Sequence, residues 1–195
     1  MPTEIVFETH SWSEDNDRGI ATGWLPGRLS PRGRALAAEL GQRRRDDGIA
    51  AVFTSDLRRA AETADIAFSG TPIPVLHDWR LRECNYGHRN GMPAAELHEN
   101  RDRYLDEPYP GGESWRQAVH RVGRFLDDLP LLWAHQRILV IGHVATRWTL
   151  DHRINGVRLE DLINADFAWR EGWEYRIADP RDRQDETLPT QTSAG

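Results

Sequence analysis

Short unbroken apolar runs alternate along this chain with longer stretches in which apolar residues return every three or four positions. Ile5-Val6-Phe7 and Ile138-Leu139-Val140-Ile141 are the clearest runs, and runs of this length suit strands covered on both faces. Further strands are predicted at residues 50–54 and 73–76. Ser30 and Pro31 supply an N-cap and a first-turn proline for a helix that carries Leu36 and Leu40 on its apolar side and runs to about residue 45. Thr54 or Ser55 is expected to cap an alanine-rich helix over residues 56–68, and a short helix is expected at 94–98. Val119, Val122, Phe125, Leu126 and Leu129 give residues 113–132 the longest one-sided helical pattern. A helix should open just after His143, and residues 167–169 and 173–177 are predicted to form a hairpin about Glu171-Gly172. Residues 78–91 lack periodicity and read as a loop. Strands alternating with helices predict one layered α/β domain over residues 1–178, with a polar tail, 179–195, expected to be disordered.

Composition narrows the class of function. A chain of 195 residues holds one well-formed core, and no apolar run approaches the ~20 residues of a membrane span. Met1-Pro2-Thr3-Glu4 gives no basic leader ahead of an apolar stretch and Cys84 is the only cysteine, so a cytoplasmic protein is expected. A formal net charge of -6 argues against a nucleic-acid partner. All 25 basic side chains are arginine, whose planar fork fits phosphate and carboxylate oxygens. That bias acquires meaning only through position.

The positions gather where strands end. His10 follows the first apolar run and Gly142-His143 follows the later one, and ligand sites in open α/β sheets lie where strands end and helices begin. Reactive groups also occur in Thr54-Ser55-Asp56-Leu57-Arg58-Arg59-Ala60 and in Leu81-Arg82-Glu83-Cys84-Asn85-Tyr86-Gly87. Two imidazoles, an arginine at a helix start and a carboxylate form an anion site able to bind a phosphoryl group and move it. One histidine would attack, Glu83 would protonate the leaving oxygen, and arginine would stabilise the transferred oxygens. The remaining histidines lack metal-ligand spacing, so no metal is expected.

These segments, in this order, resemble the histidine phosphatase superfamily, the phosphoglycerate-mutase-like family, over residues 5–178. His10 with Asn16 six residues later is similar to its first motif, and Gly23 through Leu29-Ser30-Pro31-Arg32-Gly33 to the loop and helix start that follow. Thr54-Ser55-Asp56-Leu57-Arg58-Arg59-Ala60-Ala61-Glu62-Thr63-Ala64 is the strongest match. Leu81-Arg82-Glu83 with Tyr86-Gly87, Pro110-Gly111-Gly112-Glu113-Ser114, and Gly142-His143 with Arg147 complete the set. The resemblance implies a three-layer αβα sandwich around a mostly parallel sheet. It also implies hydrolysis of a small phosphorylated metabolite through a phosphohistidine, without metal or cofactor. His10 would be the nucleophile, Arg59 a phosphate-binding arginine, Glu83 the general acid and His143 the second pocket histidine. Asn16, Arg18, Trp24, Arg28, Arg58, Tyr86 and Arg147 are the further pocket candidates.

The first motif departs from the family pattern, which places arginine before the histidine and glycine after it; here stand Thr9 and Ser11. Val144 likewise replaces a glycine often found after the second histidine. Arg18, Arg28 and Arg58 are the arginines placed to supply the missing contact. Two other readings stay open: a phosphomutase or phosphotransferase, and a catalytically weak member that binds a phosphorylated ligand or a protein partner. The short span between Gly91 and Pro108 favours hydrolysis, because mutases of the family carry a longer insertion over the site. Trp24 is expected to wall the pocket, and the tryptophans of the last hairpin suit either the core or a homodimer edge. Arg43-Arg44-Arg45, followed by Asp46-Asp47, reads as a solvated helix end.

Overall fold

Side chains on a strand point alternately to its two faces, and the two apolar runs use both. The computed structural model describes residues 2–165 and 167–178. The first half of the chain gives β1 (Thr3–Thr9), α1 (Glu14–Asp17), β2 (Ile20–Ala21), α2 (Pro31–Arg44), β3 (Ala51–Thr54), α3 (Arg58–Phe68) and β4 (Val75–His77). The second gives β5 (Met92–Pro93), α4 (Ala94–Glu99), α5 (Trp115–Leu132), β6 (Arg137–Gly142), α6 (Val144–Asn155), α7 (Leu159–Leu162) and β7 (Trp173–Ile177). Five strands form a sheet in the order β4-β3-β6-β1-β7, parallel except for β7.

Ile5, Phe7, Phe53, Ile138 and Val140 cluster with Val122, Phe125, Leu126 and Leu129 of α5 and Leu150 of α6. The intervening residues Val6, Val52, Leu139 and Ile141 pack on Leu40 of α2 and Ala64, Ala67 and Phe68 of α3. Helices therefore cover both faces, which is the expected three-layer αβα arrangement. A third cluster, including Tyr86, Leu97, Tyr104, Tyr109, Trp115 and Trp148, supports the long segment between β4 and α5. Its first part, residues 78–91, reads as a loop in the sequence; it contains two 3-10 turns, Trp79–Leu81 and Gly87–Arg89.

Four expectations need correction. The strand predicted at residues 73–76 lies at Val75–His77. The predicted hairpin does not form: Trp173–Ile177 pairs antiparallel with β1, whose edge offers a longer ladder than residues 167–169 could, and Trp169 stays exposed while Trp173 is core. The helix expected from residue 56 starts at Arg58 with Leu57 at its N-cap and no side-chain cap, because the Ser55 hydroxyl is engaged by His143. Arg44 is not solvated helix end either; its Nε donates to the buried carboxylate of Glu8 at 2.9 Å, and Arg45 Nε donates to the Ala67 carbonyl at 2.7 Å. The tail expected to be disordered lies outside the described residues.

Ser114 starts α5 with a reciprocal cap, its hydroxyl accepting from Gln117 N while Gln117 Oε1 accepts from Ser114 N. Ser114→Ala should cost about 1 kcal/mol of unfolding free energy, read as a lower denaturation midpoint at unchanged m-value.

Candidate active site

Parallel pairing brings three chain segments to one edge of the sheet. Thr9 lies opposite Gly142, Thr54 lies opposite Ile141, and His10 N extends the ladder by donating to Gly142 O at 2.9 Å. His10, Ser55 and His143 consequently follow directly from the C-terminal ends of β1, β3 and β6. The two imidazole centroids are 5.1 Å apart.

Arg59, in the first turn of α3, is buried between them. Its Nε donates to His10 Nε2 at 3.2 Å, and its Nη2 lies 3.2 Å from His143 Nδ1 and 3.0 Å from the Gly23 carbonyl. Gly23 makes this approach with φ +54, and a Cβ there would overlap the Asn90 amide oxygen. Arg59 Nη1 is buried without a hydrogen-bond partner, and no carboxylate forms an ion pair with this guanidinium among the described residues.

A guanidinium only donates, so these contacts fix the tautomers. His10 Nε2 must be an acceptor, and its Nδ1 donates to the Ser11 carbonyl at 2.7 Å. A lone pair is thus held at Nε2. Enclosure of the ring, reinforced by the Arg59 charge, pushes the His10 pKa down to about 3. Burial, then Arg59, likewise holds His143 well below the usual imidazole range. Both rings are neutral at neutral pH. Thr63 braces both elements, its hydroxyl donating to Arg59 O and accepting from Ser11 N.

Glu83 reaches the same edge from the segment after β4. Its carboxylate is buried and accepts from the amides of Cys84, Val144 and Ala145 at 2.8, 3.2 and 3.1 Å, the last two being the first turn of α6. Burial raises its pKa, against the lowering effects of the Cys84 amide, the Arg59 charge and the α6 amides. Trp24 Nε1 donates to the Glu83 carbonyl at 2.6 Å, and Arg82 lies over the Trp24 ring. Trp24 is thereby fastened to the segment that carries Glu83. Tyr86 is buried nearby against Tyr109 and Trp115.

Other candidates fall elsewhere. Asn16 Oδ1 accepts from the Ser13 amide and hydroxyl, closing the cap of α1. Arg18 pairs with Asp15 and Arg28 with Glu14, both exposed, so acidic α1 holds the two arginines expected to replace the one missing at Thr9. Arg58 is exposed. Arg147 pairs with Asp151 and lies over Trp173. The gap left at Thr9 is thus filled by none of the three arginines proposed for it.

Two supports escaped the sequence reading. Ser55, which with Thr54 reads in the sequence as a helix cap, instead bonds His143 Nε2. Arg121, buried on α5, pairs with Glu113 at 2.7 Å and donates to the carbonyls of Arg80, Arg82 and Glu83. The signal was present: Arg121 interrupts the apolar stripe one turn before Phe125. No group of three or more His, Cys, Asp or Glu side chains among the described residues is arranged to hold a metal ion.

The family model of the histidine phosphatase superfamily (branch 1) matches residues 5–170. A 2,3-bisphosphoglycerate-dependent phosphoglycerate mutase of Neisseria gonorrhoeae is 27% identical over 217 residues, covering 90% of this chain and 95% of that protein. Among solved structures, YhfR of Bacillus stearothermophilus superposes with a TM-score of 0.78 at 24% identity, over 88% of this chain and 90% of that one. The alpha-ribazole phosphatase of Shigella flexneri gives 0.73 at 24% identity, over 82% and 83% of the two chains. With the match spanning nearly all of the strands and helices that carry the site, this chain belongs to the histidine phosphatase superfamily, branch 1.

Proposed function

We propose that the protein is a phosphomonoester hydrolase that acts on a small phosphorylated metabolite through a phosphohistidine on His10, within a single domain over residues 1–178 and in the cytoplasm. The observation that carries this reading is Arg59: a buried cation without a carboxylate partner, one amino group unsatisfied, between two neutral imidazoles. Burying a charge without a partner is costly, and an incoming phosphoryl group supplies the missing anion.

On binding, Arg59 turns its donors from the histidines to the phosphoryl oxygens, freeing the His10 Nε2 lone pair. That nitrogen attacks phosphorus, the ester P–O bond breaks, and the leaving oxygen takes the proton of Glu83. Glu83 then deprotonates a water that attacks the phosphohistidine. The P–N bond breaks, phosphate departs, and Glu83 is again protonated. Because burial favours the neutral carboxyl, Glu83 begins the cycle as an acid over a wider pH range than an exposed glutamate would.

Hydrolysis rather than mutation is supported by length. The alignment with the Neisseria mutase spans 217 positions but 90% of 195 residues here, so about 40 mutase positions have no counterpart in this chain. Less chain is available to shield a phosphoenzyme from water. The mutase reading rests on the names of the curated relatives. Incubation with sugar phosphates, nucleotides and phosphorylated acids, with and without added hydroxyl acceptors, separates the two. Phosphate release should dominate; transfer to acceptor outrunning release would overturn the assignment. Glu83→Gln should lower kcat about 100-fold on alkyl phosphates and much less on nitrophenyl phosphate, whose leaving group needs no proton. It should also abolish the alkaline fall in rate, checked by pH–rate profiles of both proteins.

A further inference from the structure

His143 is the second histidine of the site, yet in the free protein it presents the wrong nitrogen to an anion. Arg59 Nη2 donates toward its Nδ1, which must carry a lone pair. The ring proton is therefore on Nε2, 2.7 Å from the Ser55 hydroxyl oxygen. A lone pair facing the site would repel phosphoryl oxygens. A full imidazolium is disfavoured, because the ring is buried beside the Arg59 guanidinium.

Ser55 offers another solution. Its side chain is fully buried, its hydroxyl makes no second hydrogen bond among the described residues, and a hydroxyl both donates and accepts. We propose that Ser55 is a positioning residue that permits His143 to exchange tautomers: the hydroxyl accepts from Nε2–H in the free protein and donates to Nε2 when a phosphoryl group is bound. His143 then offers Nδ1–H to a phosphoryl oxygen, and Arg59 Nη2 moves from Nδ1 to the same group. Proton count and charge on the ring do not change. The ring carries one proton in each form, on Nε2 in the free protein and on Nδ1 in the complex, so the ligand selects between two neutral tautomers. Serine at this position conserves the buried hydrogen bond in both states, which neither alanine nor a fixed donor would do.

The inference rests on the phosphoryl-transfer reading of the site, and its test separates the two. Nitrogen-15 NMR of histidine-labelled wild-type protein, free and with saturating inorganic phosphate, reports which nitrogen of His143 is protonated. Phosphorus NMR reports binding independently. The expected result is a pyrrole-type Nε2 in the free protein and a pyrrole-type Nδ1 in the complex. Bound phosphate with an unchanged tautomer, or with both nitrogens protonated, would overturn the exchange while leaving the site assignment intact. Absence of phosphate binding at millimolar concentration would overturn both. Ser55→Ala should weaken phosphate binding about tenfold and lower kcat with a smaller change in KM. Ser55→Ala that still exchanges tautomers on binding would contradict the role given to the hydroxyl.

Discussion

His10→Ala should reduce phosphomonoester hydrolysis by at least about 10^4-fold while changing phosphate affinity by only a few-fold. The asymmetry follows from the division of labour in the site. His10 Nε2 is the lone pair held ready by the Ser11 carbonyl on the far side of its ring. On this proposal Arg59 holds the anion, and without its contact to His10 the guanidinium is still held by Gly23 O and the start of α3 by Thr63. His143 is not a substitute nucleophile on this proposal, since its Nε2 faces Ser55 and its Nδ1 becomes a donor to the bound phosphoryl group. Steady-state rates with an aryl phosphate, together with the inhibition constant of inorganic phosphate, test both halves. Comparable rates in the two proteins would remove His10 from the reaction.

Arg59→Met should lower kcat/KM by about 10^3-fold or more, with both kcat and phosphate binding affected. Arg59→Lys should recover little of this. The three donors of lysine sit on one nitrogen, whereas the fork reaches the Gly23 carbonyl through Nη2 and presents a separate, unsatisfied Nη1. The substitution has a second signature. The Arg59 charge contributes to the depressed pKa of His10, after burial, so its removal favours the imidazolium and moves the acidic fall in rate toward neutral pH. A pH–rate profile of Arg59→Met with an acidic limb unmoved from wild type would show that the guanidinium does not lie beside the nucleophile.

The central strands β1, β3 and β6 were legible in the sequence because they are buried on both faces, and a continuous apolar run records that directly. Helix α2 was legible through its Ser30-Pro31 start and α5 through its one-sided apolar stripe. His10, Arg59, Glu83 and His143 were legible through the order of their motifs at strand and helix ends. What failed was the partner of each polar side chain. Ser55 and Ser30 look alike in sequence, and only the fold places one against His143 and the other at a helix start. Arg18 and Arg28 were expected at the pocket because they follow His10, but Glu14 and Asp15 are nearer and exposed ion pairs form locally. The reverse error was made at Arg44, whose apparent solvated setting hid a long-range contact with Glu8 across 36 residues. Position in sequence ranks local partners well and distant ones poorly.

The central claim is a covalent bond between phosphorus and His10 Nε2. Rapid mixing with a reactive aryl phosphate followed by alkaline quench, which preserves phosphohistidine, and mass spectrometry of the proteolysed protein tests it directly. The account predicts phosphate on the peptide containing His10, attached at Nε2, in amounts that rise in the Glu83→Gln protein if breakdown is slowed more than formation, and none in His10→Ala. A wild-type protein that turns over the substrate with no phosphate on His10 at any quench time, and with a first-turnover burst of alcohol absent, would contradict it.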